Sequence, residues 1–268
     1  MLSRSYLFVP GHRPDRFDKA CAAGADQVII DLEDAVPPAD KVAARAALAA
    51  WLSPERQVLV RINGAESEWF EDDLTLCAMP GVAGVVLPKA ERAADLATLA
   101  AAGAPAILPL VETALGLWNC SVLARMERVE RLVFGAIDFC LDLGIQEGHE
   151  QLLYARSQLV LASRVAGIAA PVDGVTTAFD DPGLVRADTL RARGLGFGAK
   201  LCIHPKQVDT VNDAFVATAG ELAWAARVLA ANESARGAAV AVDGRMVDRP
   251  VVRIAQQMLD EARRRGRA

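Results

Sequence analysis

The sequence has few residues of the kinds that build zinc sites and disulfide frameworks. It contains five cysteines and three histidines among 268 residues. The cysteines are scattered along the chain, none is paired at metal-ligand spacing, and an odd number does not suit a set of disulfides. Most have apolar neighbours, so we expect them to behave as small hydrophobic residues.

The sequence also lacks an excess of positive charge. Its formal net charge is -5 and it has no basic stripe, which makes nucleic-acid binding a poor hypothesis. We find no apolar run long enough to span a membrane and no signal-peptide pattern in the first five residues. We therefore expect a cytoplasmic protein that binds small molecules and neither nucleic acid nor a membrane.

Apolar residues are abundant, at 53% of the chain, and they recur in a regular order. Short runs rich in Val, Ile or Leu do not alternate strictly, which is typical of strands buried on both faces. These predicted strands cover residues 6–9, 27–32, 58–62, 82–87, 106–111, 131–136, 172–176 and 199–203. Amphipathic, Ala-rich segments predict helices at residues 14–23, 39–52, 68–78, 92–102, 114–125, 152–166, 182–193 and 205–216.

Eight strand-then-helix units predict a closed (β/α)8 TIM barrel over residues 1–216. The competing structure is a doubly wound open sheet, which usually has fewer strands at this length and carries Gly-x-Gly-x-x-Gly after its first strand when it binds a dinucleotide. That motif is absent here. Residues 217–268 form a C-terminal extension with helices at 219–231 and from 251, and a strand at 238–242. We interpret this extension as a lid that contacts a neighbouring subunit.

Polar residues follow the predicted strands at the C-terminal face, where barrel enzymes place their functional groups. Glu112 and Asp138 end adjacent strands, so we expect their carboxylates to meet. Two carboxylates, waters and a chelating substrate suit a hard cation, with Mg²⁺ favoured and Mn²⁺ as the alternative. The structural alternative is that each carboxylate caps the helix that follows it.

Other charged residues surround this predicted metal site. Arg61 suits a substrate carboxylate because its guanidinium can donate two parallel hydrogen bonds, although an ion pair with Glu33 or Asp34 is the structural alternative. Glu33 is a candidate catalytic residue. Asp31, Glu33 and Asp34 are too crowded to be ligands together, so we expect some of them to pair with Arg61 or Lys89. A general base or a structural role is open for His204.

These segments resemble, in order and over nearly the whole chain, the citrate lyase beta-subunit-like group of the HpcH/HpaI aldolase family. The matching segments are Leu7-Phe8-Val9-Pro10-Gly11, Asp31-Leu32-Glu33-Asp34-Ala35-Val36, Val60-Arg61-Ile62-Asn63, Leu87-Pro88-Lys89, Glu112-Thr113-Ala114, Gly135-Ala136-Ile137-Asp138-Phe139, Ile203-His204-Pro205 and Asp243-Gly244-Arg245-Met246-Val247-Asp248-Arg249-Pro250.

The resemblance implies an Mg²⁺-dependent lyase that cleaves or forms 3-hydroxyacyl-CoA thioesters such as citryl-, malyl- or citramalyl-CoA. It places the metal on Glu112 and Asp138 and the substrate carboxylate on Arg61. It also implies a catalytic Asp248, supplied by a neighbouring subunit within a trimer or hexamer. Arg13 and Lys19, in and after the first loop, become candidate contacts for CoA phosphates.

The chemistry of cleavage agrees with these assignments, since it yields a 2-oxo acid and a thioester enolate. A metal would stabilise the developing charge, and a carboxylate at Asp248 would return the proton. Three alternatives stay open at the sequence level. They are a class II aldolase acting on free hydroxy-oxo acids, a citrate lyase subunit acting on a carrier-protein thioester, and a non-catalytic barrel.

Overall fold

The computed structural model describes residues 3–146, 148–235 and 237–264 of the chain. Eight parallel strands form a closed barrel in which each strand pairs with the next and the last pairs with the first. The strands are Ser5–Pro10 (β1), Gln27–Asp31 (β2), Val58–Arg61 (β3), Val82–Leu87 (β4), Ile107–Val111 (β5), Arg131–Phe134 (β6), Ala169–Asp173 (β7) and Ala199–Cys202 (β8). The predicted (β/α)8 barrel is confirmed, and the doubly wound sheet is wrong.

Helices connect the strands and cover the outside of the barrel. They are Phe17–Cys21 (α1), Lys41–Trp51 (α2), Phe70–Asp73 (α3), Ala93–Ala101 (α4), Ala114–Leu123 (α5), Ala136–Leu143 (α6), Leu153–Ala166 (α7), Pro182–Leu195 (α8) and Val208–Ala214 (α9). Gly103, Gly167 and Gly196 lie at or just after helix ends with positive φ, a conformation that glycine adopts without strain.

Several elements differ in their bounds from the sequence prediction, and the differences at β7 and α6 have identifiable reasons. β7 covers residues 169–173 where 172–176 was predicted. Ala169 and Ala170 are weak strand formers by composition, yet both belong to β7, and Ala169 pairs with Arg131 of β6. Helix α6 was not predicted at all, since its first residues, Ala136 and Ile137, read as the continuation of an apolar strand. The second difference matters for function because α6 carries Asp138.

The core of the barrel is arranged in two layers. Alternate strand residues fill the interior, and they include Tyr6, Ile29, Leu59, Val86, Leu110, Val133, Val172 and Leu201. The other strand residues pack outward against the helices in larger apolar clusters. Because side chains alternate along a strand, Asp31, Arg61 and Glu112 continue the inward-facing rows above this packed interior.

The chain divides into two compact units between Phe215 and Val216. The second unit contains helix α10 (Ala219–Ser234), a hairpin of β9 (Val240–Val242) and β10 (Arg245–Val247), and helix α11 (Arg249–Arg264). The predicted strand at 238–242 is therefore shorter, and its hairpin partner was not foreseen. Both predicted domains include residues outside the described ranges, and the lid role of the second stays a prediction.

One segment of the described chain, residues 205–234, is apolar and long enough to cross a bilayer by length and composition alone. This segment was not predicted from the sequence. It is not one helix, because residues 215–218 between α9 and α10 are not helical. Val208 and Val211 belong to the barrel core, so packing accounts for the apolar character of α9.

Candidate active site

Glu112 is a buried carboxylate at the inner rim, immediately after β5, with 2% of its surface exposed. Its Oε1 accepts a hydrogen bond of 2.8 Å from the backbone N–H of Lys89. Its side chain lies against Gly135, where a Cβ atom would collide with Oε2 and Cβ of Glu112. The glycine that precedes α6 thus provides the space in which Glu112 sits.

The charge on Glu112 is poorly compensated by the protein. The pKa of Glu112 is raised to about 8, chiefly by burial. The backbone hydrogen bond and the charge of Lys89 lower this pKa, while the carboxylates of Asp138 and Glu33 contribute to its rise. Neither Glu112 nor Asp138 forms an ion pair with a lysine or arginine side chain in the described part of the chain. The site therefore disfavours the charged form of Glu112, and a bound cation would stabilise that form.

Asp138 lies in the first turn of α6 and not at the end of a strand as expected. It is close enough to Glu112 for its charge to raise the pKa of that carboxyl group. The alternative role of helix capping does not hold for either residue. Thr113 caps α5 by accepting from Gly116 N, and no side chain caps α6 at Gly135.

Arg61 is held by two carboxylates on the same rim. Its Nε and Nη2 donate to the two oxygens of Asp31, both at 2.6 Å, and its Nη1 lies 3.0 Å from Glu33 Oε2. The guanidinium also packs over the ring of Phe8 at 4.8 Å. The ion pair considered as an alternative is present, with Glu33 at 3.0 Å and Asp34 at 3.8 Å, and Asp31, which that alternative did not include, is the closest partner. Since Arg61 has five N–H donors, this pairing leaves two of them for a substrate.

Glu33 connects Arg61 to Lys89. Its Oε1 accepts from Lys89 Nζ at 2.8 Å, and its Oε2 faces Arg61. Lys89 is half-exposed and adopts a φ of 46°, which is uncommon for a residue with a side chain. This conformation lets Lys89 bond Glu112 through its backbone and Glu33 through its side chain. Both oxygens of Glu33 are occupied, which favours a positioning role over direct acid–base chemistry.

A buried lysine, Lys41, supports this rim from below and was not assigned a role from the sequence. Its Nζ donates to the backbone oxygens of Leu32 and Glu33 at 2.9 and 3.0 Å and to Asn63 Oδ1 at 2.6 Å. Asn63 in turn donates to Asp73 Oδ2. Lys41 therefore fixes the segment that carries Glu33. Lys41 also belongs to the residues that resemble the family, and that match is the signal that could have identified it.

A cleft of about 670 Å³ opens beside the rim. Glu33 and Lys89 form one wall, and the other lining residues include Lys41, Asn63, Trp69 and Arg92. Glu112 and Asp138 do not line it, so the cleft adjoins the carboxylate pair and does not contain it. A molecule anchored at the rim would have this space for its remaining atoms.

The structure places three other predicted site residues away from this cluster or in a second unit. Arg13 donates two hydrogen bonds of 2.9 Å to Asp15, and Lys19 is exposed on α1. Asp248 lies in the C-terminal unit, where Oδ1 accepts from Val251 N at 3.4 Å at the start of α11. His204 accepts from Lys206 N and stacks on Phe179, which supports its structural role.

No group of three or more His, Cys, Asp or Glu side chains among the described residues is arranged to hold a metal ion. The prediction from sequence was a pair, Glu112 and Asp138, completed by waters and substrate. The roles of these two residues, and those of Arg61, Glu33, Arg13, Lys19 and Asp248, stay predictions.

Comparison with protein families gives a match to the HpcH/HpaI aldolase/citrate lyase family over residues 4–205. A citrate lyase subunit beta-like protein of Deinococcus radiodurans is 40% identical, and the alignment covers 96% of each chain. A (3S)-malyl-CoA thioesterase of Cereibacter sphaeroides is 36% identical over 97% of this chain and 94% of its own.

Comparison with solved structures leads to the same group. The CitE protein of Mycobacterium tuberculosis, in complex with magnesium, acetoacetate and coenzyme A, superposes with a TM-score of 0.88. It is 38% identical, and the match covers 97% of this chain and 98% of that one. The resemblance found in the sequence is confirmed.

Proposed function

This chain belongs to the HpcH/HpaI aldolase/citrate lyase family, and from that premise we propose that it cleaves or forms the carbon–carbon bond of a 3-hydroxyacyl-CoA. The family is one of lyases. The products of cleavage would be acetyl-CoA and a 2-oxo acid, with citryl-, citramalyl- or malyl-CoA as the substrate. A related structure that holds magnesium, acetoacetate and coenzyme A together supports this substrate class.

The observation that carries the proposal is the uncompensated carboxylate pair. The pKa of Glu112 is raised to about 8, with burial as the largest cause and the charge of Asp138 as another. Such a pair fits Mg²⁺, which prefers carboxylate oxygens and retains open positions for substrate and water. We propose that Glu112 and Asp138 hold Mg²⁺, with Mn²⁺ as a substitute. When bound, the ion would act as a Lewis acid on the oxygen atoms of the substrate.

The chain's own residues would bind and orient the substrate. Two guanidinium donors of Arg61 that its carboxylate partners leave free would bind the substrate carboxylate, while Asp31 and Glu33 keep the plane of the guanidinium fixed. Lys89 Nζ, half-exposed beside the cleft, would contribute positive charge at the same end. The acyl-CoA would extend into the 670 Å³ cleft. Arg13 and Lys19 are proposed contacts for its phosphates.

Cleavage also requires a proton for the enolate. The hydroxyl group at C3 loses its proton to a base and becomes the carbonyl of the 2-oxo acid as the bond between C2 and C3 breaks. The electron pair of that bond passes to the thioester, and the resulting enolate takes a proton at C2, so one proton is lost and one is gained. We propose Asp248, from a neighbouring copy in a trimer or hexamer, as the proton donor. Its carboxylate now caps α11 at Val251 N.

The substitution Asp248→Asn separates these two roles, since asparagine also caps helices well. We expect turnover to fall about 100-fold or more, the usual range for a lost general acid, while helix content and Mn²⁺ affinity stay unchanged. Asp260→Asn, on the same helix, is the matched control. Unchanged turnover in Asp248→Asn would remove Asp248 from the mechanism.

The test of the reaction is to identify its products. Purified protein with Mg²⁺ would be given citryl-, citramalyl- and malyl-CoA in turn, and acetyl-CoA and 2-oxo acid would be quantified. We expect both products in equal amounts from one of the three thioesters. The proposal fails if no thioester yields a 2-oxo acid. Activity of the protein alone on free CoA thioesters would also exclude an obligate subunit that needs a carrier protein.

A second candidate is thioester hydrolysis, which the similarity to a (3S)-malyl-CoA thioesterase favours. Hydrolysis would release free CoA and the intact hydroxy acid, with no 2-oxo acid. Thiol release measured in the same reaction separates the two, because a lyase product keeps its thioester. Cytoplasmic location also remains a proposal, which cell fractionation would test.

A further inference from the structure

A second polar cavity, of about 360 Å³, lies outside the barrel wall. Its wall includes residues of β7, β8, α7 and α8 and the start of α6. Val172 and Leu201 fill the barrel interior, so the side chains of their strand neighbours Asp173 and Lys200 point outward, toward the helices. The described lining residues include neither of the proposed metal ligands. We call this space the β7–β8 cavity.

The lining of this cavity carries more positive than negative charge. The charged residues that the structure places in its wall are Arg156, Arg191, Lys200, Asp173 and Asp188. His149 also lines it, and its Nδ1 lies 2.7 Å from Arg191 Nη1. Since a guanidinium only donates, this imidazole nitrogen accepts, and the ring adds no charge. Three cations against two carboxylates leave one positive charge, which a monoanion would balance.

The two carboxylates are already bonded within the wall. Asp173 Oδ1 accepts from Arg156 Nε at 2.8 Å. Asp188 accepts from Arg191 Nη1 at 3.0 Å and from Thr176 Oγ1 at 2.7 Å. These bonds fix both carboxylates in place, so the donors that remain on the cations decide what the cavity can bind.

Lys200 and Arg191 have donors that the wall does not use. In the described chain, Lys200 Nζ donates one hydrogen bond, to Gly174 O at 2.6 Å, and lies 3.8 Å from Asp173 Oδ2. Arg191 bonds there only through Nη1. Burial is the largest cause of a lowered pKa of Lys200, which the charges of Asp173 and Asp188 oppose. The wall therefore compensates the ammonium incompletely, and an anion would stabilise it.

Arg156 is the cation whose missing partner is most evident. Its side chain is only 11% exposed, and its guanidinium lies over the ring of Phe134 at 5.3 Å. Its Nη1 is buried and has no hydrogen-bond partner among the described residues. Buried polar atoms in proteins are nearly always hydrogen-bonded. An anion in the adjoining cavity would supply the acceptor after a small rotation of this guanidinium.

The rest of the wall is apolar, and this selects among anions. The apolar lining residues are Ala136, Ile137, Leu152, Val175, Leu184 and Ala192. A phosphate or sulfate ion would leave this apolar part unfilled, and its second negative charge would face Asp173 and Asp188. A carboxylate with a short hydrocarbon chain matches both parts, as small-molecule sites usually combine apolar walls with a few polar anchors.

We propose that the β7–β8 cavity binds a small monocarboxylate with a short apolar chain, at a site separate from the lyase centre. The carboxylate would lie between the three cations, and the chain would lie against the apolar residues. Because Ala136 and Ile137 begin α6, the ligand would also contact the helix that carries Asp138. The inference does not depend on the lyase reaction.

The test is the binding of butyrate to the metal-free, full-length protein, measured by isothermal titration calorimetry. We expect one butyrate per chain with a Kd on the order of 1 mM. Butyramide, which has the same shape without the charge, and inorganic phosphate should each bind at least about tenfold more weakly. Equal affinity for either control ligand, or no binding of butyrate at about 20 mM, overturns the proposal.

A pair of variants locates the site. Arg191→Met removes one of the three cations and should weaken butyrate binding at least about tenfold. Arg186→Met is the matched control, because Arg186 is exposed on the same helix and does not line the cavity. It should bind butyrate as the wild type does. Unchanged binding in folded Arg191→Met contradicts the assignment.

If Arg191→Met does not fold, labelling of the wild type by the arginine reagent phenylglyoxal decides. Arg191 is 38% exposed and should be protected by butyrate, while Arg186 should react equally with and without it. Equal labelling of Arg191 in both samples overturns the proposal. None of these readouts involves turnover, so failure of the lyase assay leaves them unchanged.

Discussion

The two halves of the barrel rim differ in how their charges are balanced. In the paired half, after β2 to β4, Asp31 and Glu33 are matched by Arg61 and Lys89. In the unpaired half, after β5 and β6, the one hydrogen bond found for the carboxylate of Glu112 or Asp138 among the described residues is donated to Glu112 by the backbone N–H of Lys89. The carboxylates of the first half are balanced by cationic side chains, whereas the balance of the second half is left to the cation that we propose to bind there.

The difference in charge balance suits the two halves to different functions. In a network of buried ion pairs, the carboxylate oxygens are already bonded to cationic side chains. Such a network keeps its geometry but has few oxygen atoms free to bind a metal. An uncompensated pair of carboxylates stores unfavourable energy that binding a cation releases. Under the proposed function, the paired half would orient substrate and the unpaired half would bind the metal.

We expect the largest effect from a substitution that removes a carboxylate from the unpaired half. Asp138→Ala should remove one proposed metal ligand and lower lyase turnover by roughly 1,000-fold or more, in line with loss of metal catalysis. Circular dichroism should show an intact fold. Asp142→Ala, one turn along the same helix, should retain turnover. Undiminished turnover of the wild type in EDTA would contradict the metal mechanism.

We expect the second-largest effect from a substitution that removes the guanidinium of Arg61 from the paired half. Arg61→Met leaves Asp31 buried without its cation and should lower the free energy of unfolding by about 3–5 kcal/mol. It should also lower kcat/KM, since a substrate contact is lost. Chemical denaturation and steady-state kinetics measure the two effects.

Adding Asp31→Asn separates the two roles of Arg61. The double variant should recover much of the lost stability, because the uncompensated charge is gone, without recovering kcat/KM. Recovery of both would mean that Arg61 is purely structural.

We expect a smaller effect from a substitution that displaces the carboxylate of Glu112 without removing any charge. Gly135→Ala would place a methyl group against Oε2 of Glu112 and displace that carboxylate. We expect Mn²⁺ affinity to fall about 10- to 100-fold, as for other changes that misplace a ligand. Gly194→Ala is the control, because a Cβ there meets nothing within 4 Å. Equal Mn²⁺ affinity in both variants would show that Glu112 is not a ligand.

The smallest effect is expected at the residue that joins the halves. Lys89→Met removes the ion pair to Glu33 but keeps the backbone bond to Glu112. Because Lys89 is half-exposed, stability should change by less than about 1 kcal/mol. We expect about a tenfold loss of kcat/KM with unchanged Mn²⁺ affinity. Lys206→Met, which breaks an exposed pair elsewhere, should alter neither value.

Much of the barrel could be predicted because buried parallel strands and amphipathic helices differ in period. The prediction failed where composition and pairing disagree, as at Ala169 and Ala170 in β7 and at the start of α6. The residues of the rim could be predicted because barrel enzymes carry their functional groups in the segments that follow the strands. The sequence could not show which carboxylate pairs with Arg61. Asp31 and Glu33 lie close together in the sequence, and only the directions of their side chains in the fold decide which one faces the guanidinium.

The contrast between the halves is tested most directly by Mn²⁺ binding, measured by electron paramagnetic resonance, in the wild type and two variants. Glu112→Gln alters the unpaired half and Glu33→Gln the paired half, with the same loss of one charge. We predict one tightly bound Mn²⁺ per chain in the wild type and in Glu33→Gln, and none in Glu112→Gln. Binding that survives in Glu112→Gln but is lost in Glu33→Gln would contradict the account.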